Sequence, residues 1–186
     1  MVLFSAFAAE RLNAQAHMGQ IAADSESLVS AMERAFATVS RGLVTLHEAE
    51  VIDHHGTDAE RRKARIHDPE ADWRDIPESS IGDCLNALPH LDPISWRFYL
   101  PAFMRLGLRT LGSPRSPMDR AIYSLALGDD REINDYQRER FRTLDSEQAR
   151  AVHRFLEFAT QSDRCDGHIA RVALEKYWRR AAEQSG

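Results

Sequence analysis

The sequence predicts an all-α protein: a single compact domain of about six to eight helices. Three observations carry this expectation. Apolar residues recur at three- and four-residue steps in several segments. No segment alternates with period two for long enough to build a sheet, since the strand-like stretches RFYL and AIYSLAL are both short. Capping signatures open one segment after another, at Thr45/Glu48, Thr57/Glu60 and Asp145/Gln148.

The first strong period is DSESLVSAMERAFATVSRG, where Leu28, Met32, Ala35, Phe36 and Val39 form one apolar face. Asp24 or Ser25 suits the cap and Gly42 the stop. Thr45 then opens a helix that buries Leu46, Ala49 and Ile52 and ends at Gly56. Thr57 opens TDAERRKARIHD, so poor in apolar residues that it reads as an exposed helix ending before Pro69. Residues 68–95 form a connector rich in Pro, Asp and Ser, with one short helix around 79–87. Asp92-Pro93 and Ser116-Pro117 each read as an N-cap followed by proline at the first helical position. GDDREIND reads as a polar loop. EQARAVHRFLEFA follows the Asp145 cap, with Val152, Phe155, Leu156 and Ala159 on one face. A last helix, from about Gly167 to Ala182, buries Ile169, Val172, Ala173 and Tyr177. The periodic sequence strengthens only after Asp24. Residues 1–23 are therefore read as an N-terminal appendage or extra helix, and 24–186 as the helical domain.

At 186 residues the chain is long enough to bury roughly 70% of its unfolded surface without metal or disulfide help. A net charge of -5 with both signs mixed along the chain argues against nucleic acid as a partner, which needs a basic stripe. All but Lys63 and Lys176 of the basic residues are arginine. Cys84 and Cys165 show no metal spacing and read as buried free thiols. No apolar stretch approaches the roughly 20 residues of a membrane span. The opening residues resemble a signal peptide but lack a basic n-region, so a cytoplasmic protein is expected.

The stretch SWRFYLPAFMRLGLR, residues 95–109, is the densest in large side chains. Pro101 has no N–H for the Arg97 carbonyl, so the chain is expected to bend, or stop and restart, between Tyr99 and Pro101. A helix restarting there covers one side with Phe103, Leu106, Gly107 and Leu111 and turns Arg105 and Arg109 outward. Trp96 and Tyr99 each carry one polar hydrogen that wants an acceptor when buried. RFYLPAFM, with Ala35-Phe36, the Leu46/Glu48/Ala49/Asp53 stretch and the Gln148/Ala151/Val152/Phe155/Leu156 stretch, resembles a family of small bacterial proteins of unknown function. The likeness covers roughly residues 28–158. It implies a bacterial, cytosolic, mainly helical domain and transfers no catalytic residue.

Chemistry is thin. EAEVIDHHG gathers Glu50, Asp53, His54 and His55, with His67 and Asp68 further on; Glu50 and His54 share a helix face. Yet Val51 stands where the second histidine of HExxH belongs, and helix-end polarity explains the cluster as well. No glycine-rich phosphate loop and no G-x-S-x-G is present, which excludes P-loop and Rossmann enzymes. On the last helix Trp178 lies about 100° round from Tyr177, so either it packs against a neighbouring helix or it faces out beside Arg179 and Arg180 as an interface anchor. Size, acidity and the lack of a catalytic constellation point to a protein-binding module, an immunity protein or antitoxin being one concrete form. Its partner would be another protein, not nucleic acid or membrane, and neither cofactor nor metal is expected. The 95–109 stretch reads first as a tightly packed core joint; if it binds, the residues expected to carry binding are Trp96, Arg97, Tyr99 and Arg105, with Trp178. The alternative is an enzyme of unrecognised type, with its site near Arg97/Tyr99 or a metal at Asp53/His54.

Overall fold

A computed structural model describes the backbone of residues 2–183 and the side chains of residues 19–183. Within these limits it is helical without a strand, in the order α1 Val2–Ala35, α2 Leu46–Asp53, α3 Asp58–Ala64, α4 Glu78–Asp83, α5 Pro93–Arg109, α6 Met118–Ser124, α7 Arg131–Phe141, α8 Ser146–Thr160, α9 Gly167–Ala173 and α10 Arg179–Glu183. Single turns of 310 helix at Arg65–His67, Trp73–Asp75 and Leu88–His90 fill the connectors, so the all-α single domain is observed.

α5 is the axis of the core. Ser95, Trp96 and every residue from Phe98 to Leu108 except Arg105 are buried, as α1, α4, α6 and α7 pack around it. Of the bend or restart expected at Pro101, the stop and restart does not occur: α5 runs through it. Proline removes one backbone hydrogen bond from the helix. Burial on both sides of the gap offsets this, at about 1.5–3 kcal/mol for each enclosed large apolar side chain. Gly107 lets α6 approach closely, since a Cβ there would lie 2.9 Å from the Met118 Cα.

α1 is one unbroken helix, with Asp24 inside it accepting a hydrogen bond from the Gln20 side chain at 2.9 Å rather than capping a start. Side chains 1–18, and with them most of the expected appendage, lie outside the described residues. The helix stops at Ala35, well short of Gly42, and remote side chains take its last carbonyls. Gln148 Nε2 donates to Ala35 O at 3.1 Å, and the buried Trp73 Nε1 donates to Phe36 O at 2.9 Å. These bonds satisfy acceptors that a helix end leaves open.

The charged α3 is tied down through a buried acid. Glu48 on α2 is fully enclosed and accepts from Arg61 (2.9 and 3.1 Å) and from Arg65 (2.5 and 2.6 Å). The GDDREIND segment is not a loop. Asp130 caps it by accepting from Ile133 N at 3.0 Å, and α7 follows to Phe141. Its buried side is made by Arg140 and Phe141, an arginine and a single aromatic, which an apolar-periodicity reading does not register.

Candidate functional site

The residues expected to bind a partner are built into the packing of α5 and the last helix. Trp96 is enclosed 5.8 Å from the Phe141 ring, and its Nε1 finds no acceptor. Tyr99 is enclosed against Phe98, and burial pushes its hydroxyl well above the usual tyrosine range. Arg97, half-buried, donates to Gln148 Oε1 at 2.9 Å and lies 3.5 Å from Asp145, so it ties α5 to the start of α8. Arg105 does not turn freely outward: it lies over the Trp73 ring at 4.9 Å, donates to Arg74 O at 2.9 Å and faces Glu33 at 3.9 Å. Arg109 is exposed, 3.8 Å from Glu78.

For Trp178 the structure shows the packed reading and not the outward one. It is fully buried, donating from Nε1 to Leu125 O at 2.7 Å and packing 4.7 Å from Phe141. Tyr177 packs on the same Phe141 ring at 4.9 Å. The expectation of opposed faces assumed a regular α-helix, but Leu174–Trp178 is a π-helical turn. Within that turn both rings lie against one aromatic.

The acid–imidazole cluster survives in part. Ligand atoms of Glu50, Asp53 and His54 lie within 4.8 Å of one another. Each is also engaged within the chain. His54 Nδ1 meets Glu50 O at 2.8 Å, Glu50 Oε1 accepts from Asn86 N at 3.0 Å, and Asp53 pairs with His90 Nε2 at 3.0 Å. His55, in left-handed backbone (φ 55°), is exposed at the helix end. Asp68 is not with them: it is buried against His47, whose Nδ1 is 2.7 Å away and which stacks near His67.

The surface worth most attention was missed by the sequence. Asp92 caps α5, accepting from Ile94 N and Ser95 N at 3.1 Å, and its other oxygen accepts from Leu43 N at 3.2 Å and Val44 N at 2.9 Å. Leu43 and Ile94 thus flank one carboxylate, and they are 85% and 46% exposed. One residue earlier, Leu91 O accepts from the Tyr136 hydroxyl at 3.0 Å, and Ile133 sits one turn before Tyr136 on α7. Tyr136 and Ile133 are also exposed. The Leu91–Asp92 turn thus holds the Tyr136 hydroxyl and the Leu43 backbone, with Ile94 two residues on and Ile133 one turn from Tyr136, and all four residues expose apolar surface. None belongs to an apolar stripe, and the folding of a distant loop onto the α5 cap brings Leu43 there.

Fold and surface together define an all-α domain with an apolar spot and an enclosed polar interior; no helix among the described residues is long and apolar enough to cross a membrane. The chain belongs to a family of unknown function, DUF6714, whose model matches residues 24–182. No match is found among curated proteins or among solved structures.

Proposed function

We propose that the protein is a binding module that docks another protein on the Leu43/Ile94/Ile133/Tyr136 surface. The observation that carries this is that Leu43 and Tyr136, from distant segments, are both hydrogen-bonded to the Leu91–Asp92 turn beside Ile94, and each exposes a large apolar side chain, whereas scattered single ones need no explanation. An immunity protein or antitoxin acting in a bacterial cytoplasm fits this description, and two free cysteines agree with a reducing compartment. Nucleic acid is the poorer fit for a chain of net charge -5.

The test is co-expression of the chain with the products of its neighbouring genes. A complex formed by wild type, lost in Ile94→Glu and kept in Ile66→Glu on a separate exposed site, supports the reading. Failure of every neighbour to bind, or equal binding by both variants, refutes it. The enzyme reading has one geometric support, the Glu50/Asp53/His54 group. Stoichiometric metal in protein purified without a histidine tag would move the function there.

A further inference from the structure

Arg140 is 2% exposed and no carboxylate of the described residues pairs with it. Its Nη2 donates to Pro89 O at 2.6 Å and Leu91 O at 2.7 Å, and its Nη1 donates to Gln137 Oε1 at 2.9 Å. Tyr136 lies against it, the ring 4.2 Å from the guanidinium carbon. The Nε–H has no acceptor. Asp92 acts on it only at a distance, and that carboxylate is occupied by Val44, Ile94 and Ser95. A guanidinium stays charged in a protein, and enclosing it without a counter-charge costs several kcal/mol.

This uncompensated charge forms part of the wall of a cleft. About 360 Å³ of space lies between the Leu88–His90 turn and the facing sides of α6 and α7, within the range of small-ligand sites, about 300–1,000 Å³. Arg120 on α6, exposed and without an ion pair among the described residues, lines the same space. Gln137, which orients Arg140, is itself fixed by donating to Ser124 O at 3.2 Å. Asp53 is the acid of the cleft, and it is 3.0 Å from His90 Nε2. Two arginines, on α6 and α7, therefore border one space in which the only acid among the described lining residues already faces an imidazole.

We propose that this cleft binds the oxyanion group of a small molecule, a carboxylate or a phosphate, with Arg120 as the contacting cation and Arg140 as the buried charge behind it. Guanidinium groups match the geometry of both oxyanions. At the low effective dielectric of an enclosed wall, Arg140 attracts such a group more strongly than a surface arginine does.

The test is calorimetric titration of the full chain with inorganic phosphate and, separately, with succinate at low salt. The proteins are wild type, Arg120→Gln and Arg171→Gln, the last on a separate groove between α1, α8 and the final helix. Saturable binding of at least one anion is expected for wild type, weakened about tenfold or more by Arg120→Gln and unchanged by Arg171→Gln. Binding of succinate alone assigns a carboxylate ligand, and binding of phosphate alone a phosphoryl one. Absence of saturable binding for both anions overturns the proposal. So does an Arg120→Gln protein that titrates like wild type, or loss of binding in Arg171→Gln.

Discussion

Arg65 grips the fully buried carboxylate of Glu48 with two hydrogen bonds, from Nε at 2.5 Å and from Nη2 at 2.6 Å, and so fastens α3 and its following turn to α2. Desolvation pushes the Glu48 carboxyl up, but the bonds from Arg65 and Arg61 outweigh it and hold the group below the usual glutamate range. A folded-state pKa below the unfolded one contributes stability that is fully present above the unfolded value. That contribution is lost as pH falls through the folded value. Glu48→Gln should therefore destabilise at neutral pH by about 3 kcal/mol, the low end for breaking a buried pair, because Arg61 and Arg65 still reach water. Urea midpoints of wild type and variant should converge as the pH is lowered. A gap that stays constant into strong acid would contradict the assignment.

Gly107→Ala tests the contact of α5 with α6. In an ordinary helix interior this change stabilises by roughly 0.5–1 kcal/mol. Here the new methyl meets the Met118 backbone at 2.9 Å, so a loss of about 1–3 kcal/mol is expected from overpacking. Thermal melting decides the sign.

The facing of α5 is tested by a pair of alanines. Phe103 is fully enclosed, and Phe103→Ala should cost about 3–5 kcal/mol. Arg109 is exposed with a long pairing to Glu78, and Arg109→Ala should change stability by less than about 0.5 kcal/mol. Equal, small shifts in melting for both would mean the helix is turned differently.

The thiols should be quiet. Burial, with Glu50 adding to it, pushes the Cys84 thiol up to about 12. Burial also raises Cys165, whose Sγ lies 3.6 Å from the Ala159 carbonyl. A raised thiol pKa keeps the neutral, unreactive form. A disulfide-exchange reagent at about pH 8 should leave Cys84 unmodified in the native protein and reach both cysteines in denaturant. Rapid stoichiometric labelling of native Cys84 would show that it is not enclosed.

The sequence by itself determined where most helices lie and what they bury, because those signals are local. The caps at Thr57, Asp92 and Asp145, the apolar stripes of α1 and α8, and the polar face of α3 depend on residues within one or two turns. The tertiary structure decided what depends on distant partners. Burial of both faces carried α5 through Pro101, and remote donors from Trp73 and Gln148 ended α1 early. The Leu125 carbonyl and the Phe141 ring decided between the two readings of Trp178, enclosing it. Arg140 could not be recognised as a core residue until the Pro89 and Leu91 carbonyls were placed beside it. The candidate surfaces follow the same division: Leu43, Ile94 and Tyr136 are separated along the chain, and only the fold hydrogen-bonds each of them to the Leu91–Asp92 turn. Periodicity reports which side of a helix avoids water, whereas a site is made by side chains from different elements, and only packing brings those together.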